Sequence, residues 1–490
     1  MRLKQFSGKL LLIPVAVGTL LCSCMEPTDE KNTLTVDPES SFTYDINGNV
    51  SFFDSTLEED KDNDEKEFKK KITINFNGAA KPTIEPAETE GVEIGVNKEK
   101  GEAHLIIKSS EKINYVLKGE STEGSLMIFS QRKFKLTLDN LELSNDAGLP
   151  AISSQTKKRC FIESIGISTV KDAQSYSLGS AYKNEGGDKP YEANGAIFSE
   201  GEIIFCGNGI LNVEGRNKHA IASDQYVRLL SGTVNVTGSK KDGIHTNDAV
   251  LINGGKLDIS GIVTDSSAAA RKFNGIQCEK GYIVIKDGKI DITSPGIGIY
   301  ASKEEFSKSD AMTEKAFIYI DGGKITITTD QKQGHGINSM SHMIIKGGEI
   351  DIKALGESAK GLRTDCNKVE DEKDAENGNI TLTGGTINIF CVDKALDPEG
   401  KLNILGGTLY AIGGDCFDRE QVLKGSKPCG IAPFNSAITV GEEISFESKK
   451  VGTVLADLDK AYAVFTGDSL VAGATPEVKI GSQPANAKVE

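Results

Sequence analysis

Basic residues are in short supply. Lys and Arg number 56 against 71 Asp and Glu, a net charge of −15. That excludes a nucleic-acid binder, because nothing basic stands ready to displace counterions from a phosphate backbone. Tryptophan is absent, hydrophobic residues make up only 38%, and glycine numbers 53. Helical bundles and coiled coils are rich in Ala, Leu, Glu and Lys and poor in Gly, so those classes fall away. Beyond the first two dozen residues no apolar run approaches the ~18 residues that span a bilayer. No Cys-x-x-Cys spacing occurs, which removes zinc and thioredoxin-type motifs. An EF-hand loop, a Gly-Gly-x-Gly-x-Asp nonapeptide and a Gly-x-Ser-x-Gly elbow are likewise missing. What is present is long alternation of apolar and polar residues, which argues for strands and against disorder.

The N-terminus reads as an address. Arg2, Lys4 and Lys9 precede the apolar run from Leu10 to Leu21, too short to cross a bilayer comfortably. Leu21-Cys22-Ser23-Cys24 resembles a bacterial lipoprotein signal, with cleavage after Ser23 and lipid on Cys24. Loss of residues 1–23 takes the net charge to −18. Met25-Glu26-Pro27-Thr28-Asp29-Glu30 is similar to the acidic tether of surface lipoproteins of Bacteroides-type bacteria. The resemblance implies an outer-membrane lipoprotein at the cell surface, with the periplasmic face as the alternative. The membrane is then met through the lipid alone. Residues 24–71 form the expected flexible acidic tether. Seven further cysteines lie outside this leader, and those beside apolar strand residues read as buried small hydrophobes.

Internal periodicity dominates the rest. Gly243-Ile244-His245-Thr246 leads into Val250-Leu251-Ile252-Asn253-Gly254-Gly255-Lys256-Leu257-Asp258-Ile259, and units opening at Gly275 and Gly336 repeat the pattern. Undisturbed units recur every 23–25 residues. Such a period means a solenoid. A leucine-rich repeat would need Leu-x-x-Leu-x-Leu and a helical arm. These units instead hold three short Ile/Val/Thr-rich segments broken by Gly-Gly or Asp-Gly. The expected fold is all-β: a right-handed, single-stranded parallel β-helix of about ten coils, roughly 50 Å long. Residues 72–150 are expected to form the N-terminal cap and first coils, 151–429 the β-helix and 430–490 a C-terminal β cap.

From about Ile72 to Ile480 the chain resembles a family of β-helical carbohydrate-binding proteins of anaerobic bacteria. The resemblance rests on Leu136-Thr137-Leu138-Asp139-Asn140-Leu141, on Lys240-Lys241-Asp242-Gly243-Ile244-His245-Thr246-Asn247-Asp248, on Lys360-Gly361-Leu362-Arg363-Thr364-Asp365 and on the tail Ala461-Tyr462-Ala463-Val464-Phe465. It implies a right-handed β-helix, bound calcium and binding of polygalacturonate-like glycans without cleavage. The chain departs from the family in four insertions and at Lys394-Ala395-Leu396, where an acidic Gly-Ile step is more usual.

The repeat frame predicts columns of side chains along the solenoid. One column is Ser153, Phe198, Ala222, His245, Gln277, Tyr300, Asn338, Arg363 and Asp397. A second, just before the small residue, holds His219, Asp242, Asn274, His335, Lys360 and Lys394. A third holds Asp224, Asn247, Glu279 and Asp365. Strand alternation turns the intervening aliphatic column inward and these outward. Insertions at 177–193, 264–272, 303–315 and 367–378 all flank this face and are expected to wall a groove across it. Tyr176, Tyr182, Tyr191 and Tyr300 are the rings available for sugar stacking.

A protein this acidic repels an anionic polysaccharide unless Ca²⁺ bridges the two. The candidate calcium ligands are Asp242, Asn247, Asp248, Asp365, Asp393, Asp397, Asp415 and Asp418. Lys360, Arg363 and Lys394 are the candidate contacts to sugar carboxylates, and His245, Gln277, Tyr300 and Asn338 to hydroxyls. The expected function is capture of an acidic, pectate-like polysaccharide. Two alternatives stay open: a calcium-dependent polysaccharide lyase using Lys360, Arg363 or Lys394 as base, and a purely structural surface protein or adhesin.

Overall fold

The computed structural model describes residues 32–37, 40–44, 50–54, 56–183, 191–262, 273–302, 316–365, 378–422, 427–467 and 470–489. Strand makes up 55% and helix 3%, so the fold is all-β. Three long ladders of strands account for most of it, and the chain visits them in the same order again and again. In one repeat, Ile244–Thr246 lies in ladder A, Ala249–Ile252 in ladder B and Lys256–Ile259 in ladder C. The next repeat places Ile276–Cys278, Tyr282–Ile285 and Lys289–Ser294 beside them, each parallel to its predecessor.

Ladder A contains twelve strands, from Val92–Val96 to Leu396–Asp397. Only its first pair, Val92–Val96 with His104–Ser109, is antiparallel. Towards both ends the B and C segments fuse into single long strands, Phe134–Ser144 at one end and Ile380–Cys391 and Leu402–Gly413 at the other. At the C-terminal end Ala461–Thr466 pairs antiparallel with Leu402–Gly413, which ends the parallel stacking. Beyond it Lys449–Thr453, Glu443–Phe446, Glu477–Ile480 and Gln483–Asn486 form an antiparallel sheet. A covered end matters, because an open strand row is a template for edge pairing.

The register explains the repeat. Ile244, Ile276, Ile299, Ile337 and Leu362 are direct neighbours along ladder A, and all are buried. Each unit places like on like, so the aliphatic stack is continuous. The glycine before each isoleucine is required by space rather than by backbone angle. A Cβ on Gly336 would meet Ile352 Cγ2 at 2.3 Å and the Gly361 carbonyl oxygen at 2.8 Å. Gly275, Gly298 and Gly361 face the same kind of obstruction from Ile292, Ile327 and Ile389. The second glycine of each Gly-Gly turn is the one in the left-handed region, as at Gly348 with φ of 93°.

Outside faces differ from simple alternation. Ladder C is solvated, with Lys289 paired to Asp291 at 2.7 Å on the same strand. Ladder B is apolar on both faces: Leu251, Val284, Tyr319 and Ile344 stack in register on its outer side and are buried. The acidic stretch expected to be a solvated linker is in part docked on that same side. Leu57–Lys61 forms one helical turn, and its Asp60 is wholly buried. Arg228 Nε donates to Asp60 Oδ2 at 2.5 Å, and its other nitrogens donate to Asp54 and Asn253. Arg159 adds an ion pair, its Nε lying 2.8 Å from Asp60 Oδ1. Burial raises the Asp60 carboxyl above its ordinary range, and the two guanidiniums oppose that rise.

Candidate functional site

The outward side of ladder A carries the column that the repeat frame places together. His245, Gln277, Tyr300, Asn338, Arg363 and Asp397 are successive partners in the parallel register. Their environments are unequal. Gln277 and Asn338 are 8% and 2% exposed, which leaves little of either for a ligand. Gln277 accepts from Asn274 Nδ2 at 2.7 Å and donates to Ser302 Oγ at 3.3 Å. Tyr300 is half-buried, and its hydroxyl reaches Met340 Sδ at 3.4 Å.

The neighbouring column bolts one coil to the next through side-chain acceptors. The Asp242 amide donates to His219 Nδ1 at 3.2 Å, the Asn274 amide to Asp242 Oδ1 at 2.8 Å, and the Ile297 amide to Asn274 Oδ1 at 2.8 Å. Ile297 has no acceptor, so the series stops there. It resumes where the Lys360 amide donates to His335 Nδ1 at 3.1 Å. Arg363 Nη1 lies 3.1 Å from His335 Nε2, and a neutral imidazole accepts only once, so the two contacts compete.

His245 stands between two carboxylates. Its Nδ1 is 2.9 Å from Asp242 Oδ2 and its Nε2 is 3.1 Å from Glu279 Oε1, so both nitrogens donate and the ring is an imidazolium. Burial works against that charge, but the bonds to Asp242 and Glu279 outweigh it and raise the ring to about 9. The ring stacks on His219 with centroids 4.1 Å apart. Burial and the His245 charge push His219 down to about 4, so it stays neutral. Burial alone would raise Asp242, but the neighbouring histidines, His245 by a hydrogen bond to Oδ2, hold it below the usual carboxylate range. His219, Asp242 and His245 also bring ligand atoms within 4.8 Å of one another. The site residues that sequence reasoning passed over here, His219, Asn274 and Glu279, all stood in the columns. Only side-chain reach distinguishes them.

The calcium candidates do not form one cage. Asp242 is buried with both oxygens engaged, while the half-buried Asn247 and exposed Asp248 lie at the other end of Ile244–Thr246. Asp418 is exposed and accepts from the Glu420 amide at 3.1 Å. Asp415 bridges in parallel to Lys394 and sits 3.7 Å from Lys460. Three acids do converge, and they do so on the three cations. Lys360 pairs with Asp397 and lies 3.9 Å from Asp393. Lys394 is 3.4 Å from Asp397, and Arg363 is 3.0 Å from Asp365 and 3.6 Å from Asp397. All six side chains are between 18% and 29% exposed, open enough to exchange partners. The result is a compact, nearly neutral patch of alternating donors and acceptors.

The first insertion lies on the face rather than beside it. Tyr182 and Ala193 are buried with Met127 and Leu149, and Tyr176, Leu178 and Tyr191 pack around them. Tyr176 donates to Asp172 at 2.6 Å. The N-terminal third of ladder A is therefore covered; along the rest of the column Gln277 and Asn338 are buried, while His245, Tyr300, Arg363 and Asp397 are partly exposed. The other three insertions, 264–272, 303–315 and 367–378, lie outside the described residues except for Gly378, as does Cys24. Among the described residues no helix is long and apolar enough to cross a membrane.

The sequence matches the carbohydrate-binding domain-containing protein family over residues 101–306 and again over 306–419. That is more than half of the chain, and the chain belongs to this family. No curated protein matches it at a significant level. Among solved structures it is similar to the polysaccharide lyase-like protein from C. thermocellum, determined as a gadolinium derivative. The identity is 19%, covering 60% of this chain and 96% of that one, with a TM-score of 0.38.

Proposed function

We propose that the protein captures acidic polysaccharide along the outer side of ladder A, with Ca²⁺ bridging sugar and protein. The observation that carries this is the patch of Lys360, Arg363, Lys394, Asp365, Asp393 and Asp397, in a chain whose family binds carbohydrate. Parallel strands about 4.8 Å apart offer one outward residue per step, close to the length of one pyranose unit. A glycan lying along the ladder therefore keeps step with the coils, meeting the partly exposed Tyr300, Arg363 and Asp397 and passing over the buried Gln277 and Asn338. Its carboxylates compete with Asp397 for Lys360 and Lys394, and with Asp365 for Arg363. Each aspartate so released joins a sugar carboxylate around a divalent cation. Calcium takes six to eight oxygens, so these three half-buried acids suit it when sugar and water supply the rest. Asp242 is outside this set, because its oxygens already hold Asn274 and His245.

The architecture behind this reading is a right-handed, single-stranded parallel β-helix with the three ladders as its faces, the usual hand for parallel crossovers. Lipid on Cys24 would hold it at the outer membrane. Titration calorimetry of the chain from Cys24 onward with polygalacturonate, in calcium and then in EDTA, tests the function. Heat in calcium that vanishes in EDTA, with no absorbance from unsaturated uronides, is the expected result. Rising absorbance would make the protein a lyase. No heat in either buffer would contradict the acidic-glycan reading.

A further inference from the structure

Ladder B carries a surface that the glycan face does not use. Along it Arg228, Leu251, Val284, Tyr319, Ile344 and Thr381 are successive partners in the parallel register. In the column beside them Tyr282 and Phe317 stack with centroids 5.1 Å apart and planes 7° apart. Their chain neighbours Val250, Ile283 and Ile318 belong to the inner core, so these side chains point outward. None of them is more than 8% exposed. An apolar patch of this size is rarely left to water, and here it is not left to water: something lies across it.

The first rung is already held by this chain. Arg228 donates to Asp54, Thr56 and Asp60, and Tyr226 donates to Asp60. Directly before Asp54 come Asn32–Asp37, Ser40–Tyr44 and Val50–Phe53, a three-stranded antiparallel sheet. In its register Leu34 is the partner of Phe42, Phe42 of Phe52, and Tyr44 of Val50. Strand alternation assigns these five positions to one face. Thr33, Thr43 and Ser51 make a row on the other face, where Phe53 adjoins Asp54. A small sheet with one apolar face needs a surface to pack against. The sizes agree as well. Its strands of four to six residues are ~14–20 Å long, and Leu251 to Ile344 spans three strand spacings, ~14 Å.

We propose that this sheet docks on the outer side of ladder B, with its Leu34, Phe42 and Phe52 face on the stripe from Leu251 to Ile344. A second copy of the chain and a foreign protein are the competing occupants. Either one meets a rival joined to the stripe at Asp54 with no linker between, and so present at an effective concentration that a free partner does not match. The segment before the solenoid is then a clamp rather than a spacer. With lipid on Cys24, residues 24–31 are all that separate the anchor from the sheet, at most ~29 Å of chain. Ladder B is thereby held towards the membrane, and the patch on ladder A is presented from another face. That orientation rests on lipid at Cys24, and the docking does not.

The test is hydrogen exchange over residues 32–53 in the chain from Cys24 onward, with hydrophobic-dye binding, melting curves and sedimentation alongside. Three variants decide it: Phe42→Asp, Thr43→Asp and Tyr319→Ala. The expected result is a monomer whose 32–53 amides are protected. Phe42→Asp should cut that protection tenfold or more and raise dye fluorescence. Thr43→Asp, the next residue but on the opposite face, should do neither. Tyr319→Ala should loosen 32–53 at least fivefold while the solenoid still melts cooperatively. If Phe42→Asp merely breaks the small sheet, Tyr319→Ala still decides, because it leaves the sheet's own sequence intact. Three results would each overturn the proposal: unprotected 32–53 amides in the unaltered protein, equal effects of Phe42→Asp and Thr43→Asp, or unchanged protection in Tyr319→Ala. Protection that falls on dilution as a dimer dissociates would also overturn it, and would give the stripe to a second copy.

Discussion

At Gly336 a single hydrogen atom is what allows two coils to stack. Replacing it with methyl drives that carbon into Ile352 and into the carbonyl of the next coil. Overpacking of this kind costs about 1–3 kcal/mol, so Gly336→Ala should lower the urea midpoint by a corresponding amount without changing the slope. This requirement was legible, because the same glycine returns in unit after unit. The Arg228–Asp60 pair was not, since the partners stand 168 positions apart and only one belongs to the repeat. Removing one partner of a buried ion pair costs about 3–5 kcal/mol. Arg228→Ala should show that loss in chemical denaturation, and Arg228→Met combined with Asp60→Leu should recover most of it. Full loss in the double variant would mean that the segment is held by the polar bonds themselves, those from Arg228 to Asp54 and Asn253 included, and not by burial that an apolar pair can replace.

Elements behave as the period dictates, and loops do not. Strand alternation fixed which residues stack, so the column from His245 to Asp397 was readable from spacing alone. Nothing in spacing tells whether an insertion stands beside a face or lies across it. The first insertion lies across it because Tyr182 and Ala193 find Met127 and Leu149 to cover. Replacing residues 177–193 with a short Gly-Ser link should expose that apolar surface and raise binding of a hydrophobic dye. Ladder A also carries a pH signature. His245 is raised from its ordinary 6.5 to about 9 by Asp242 and Glu279, against the pull of burial. A raised histidine gives its full stabilisation below 6.5 and loses it as pH climbs through about 9. Melting temperature should therefore decline over that interval, and His245→Gln should decline less steeply. Identical slopes for the two proteins would show that the imidazolium contributes nothing.

On the scale of the whole molecule, charge frames the function. A strongly acidic chain carries one compact patch in which three cations meet three aspartates, on a family fold associated with carbohydrate. The residue types in that patch were legible in the sequence. Their mutual pairing was not, because it depends on side-chain reach across neighbouring coils. That pairing changes the mechanism expected of them, from free cations beside a separate calcium cage to partners that must be exchanged. The measurement that bears most directly on this account is the affinity of Lys360→Ala/Arg363→Ala for polygalacturonate in calcium, alongside its melting curve. The account predicts binding at least tenfold weaker, with melting nearly unchanged because the lost pairs are partly solvated. Unaltered affinity in a folded double variant would contradict it and place the glycan elsewhere on the solenoid.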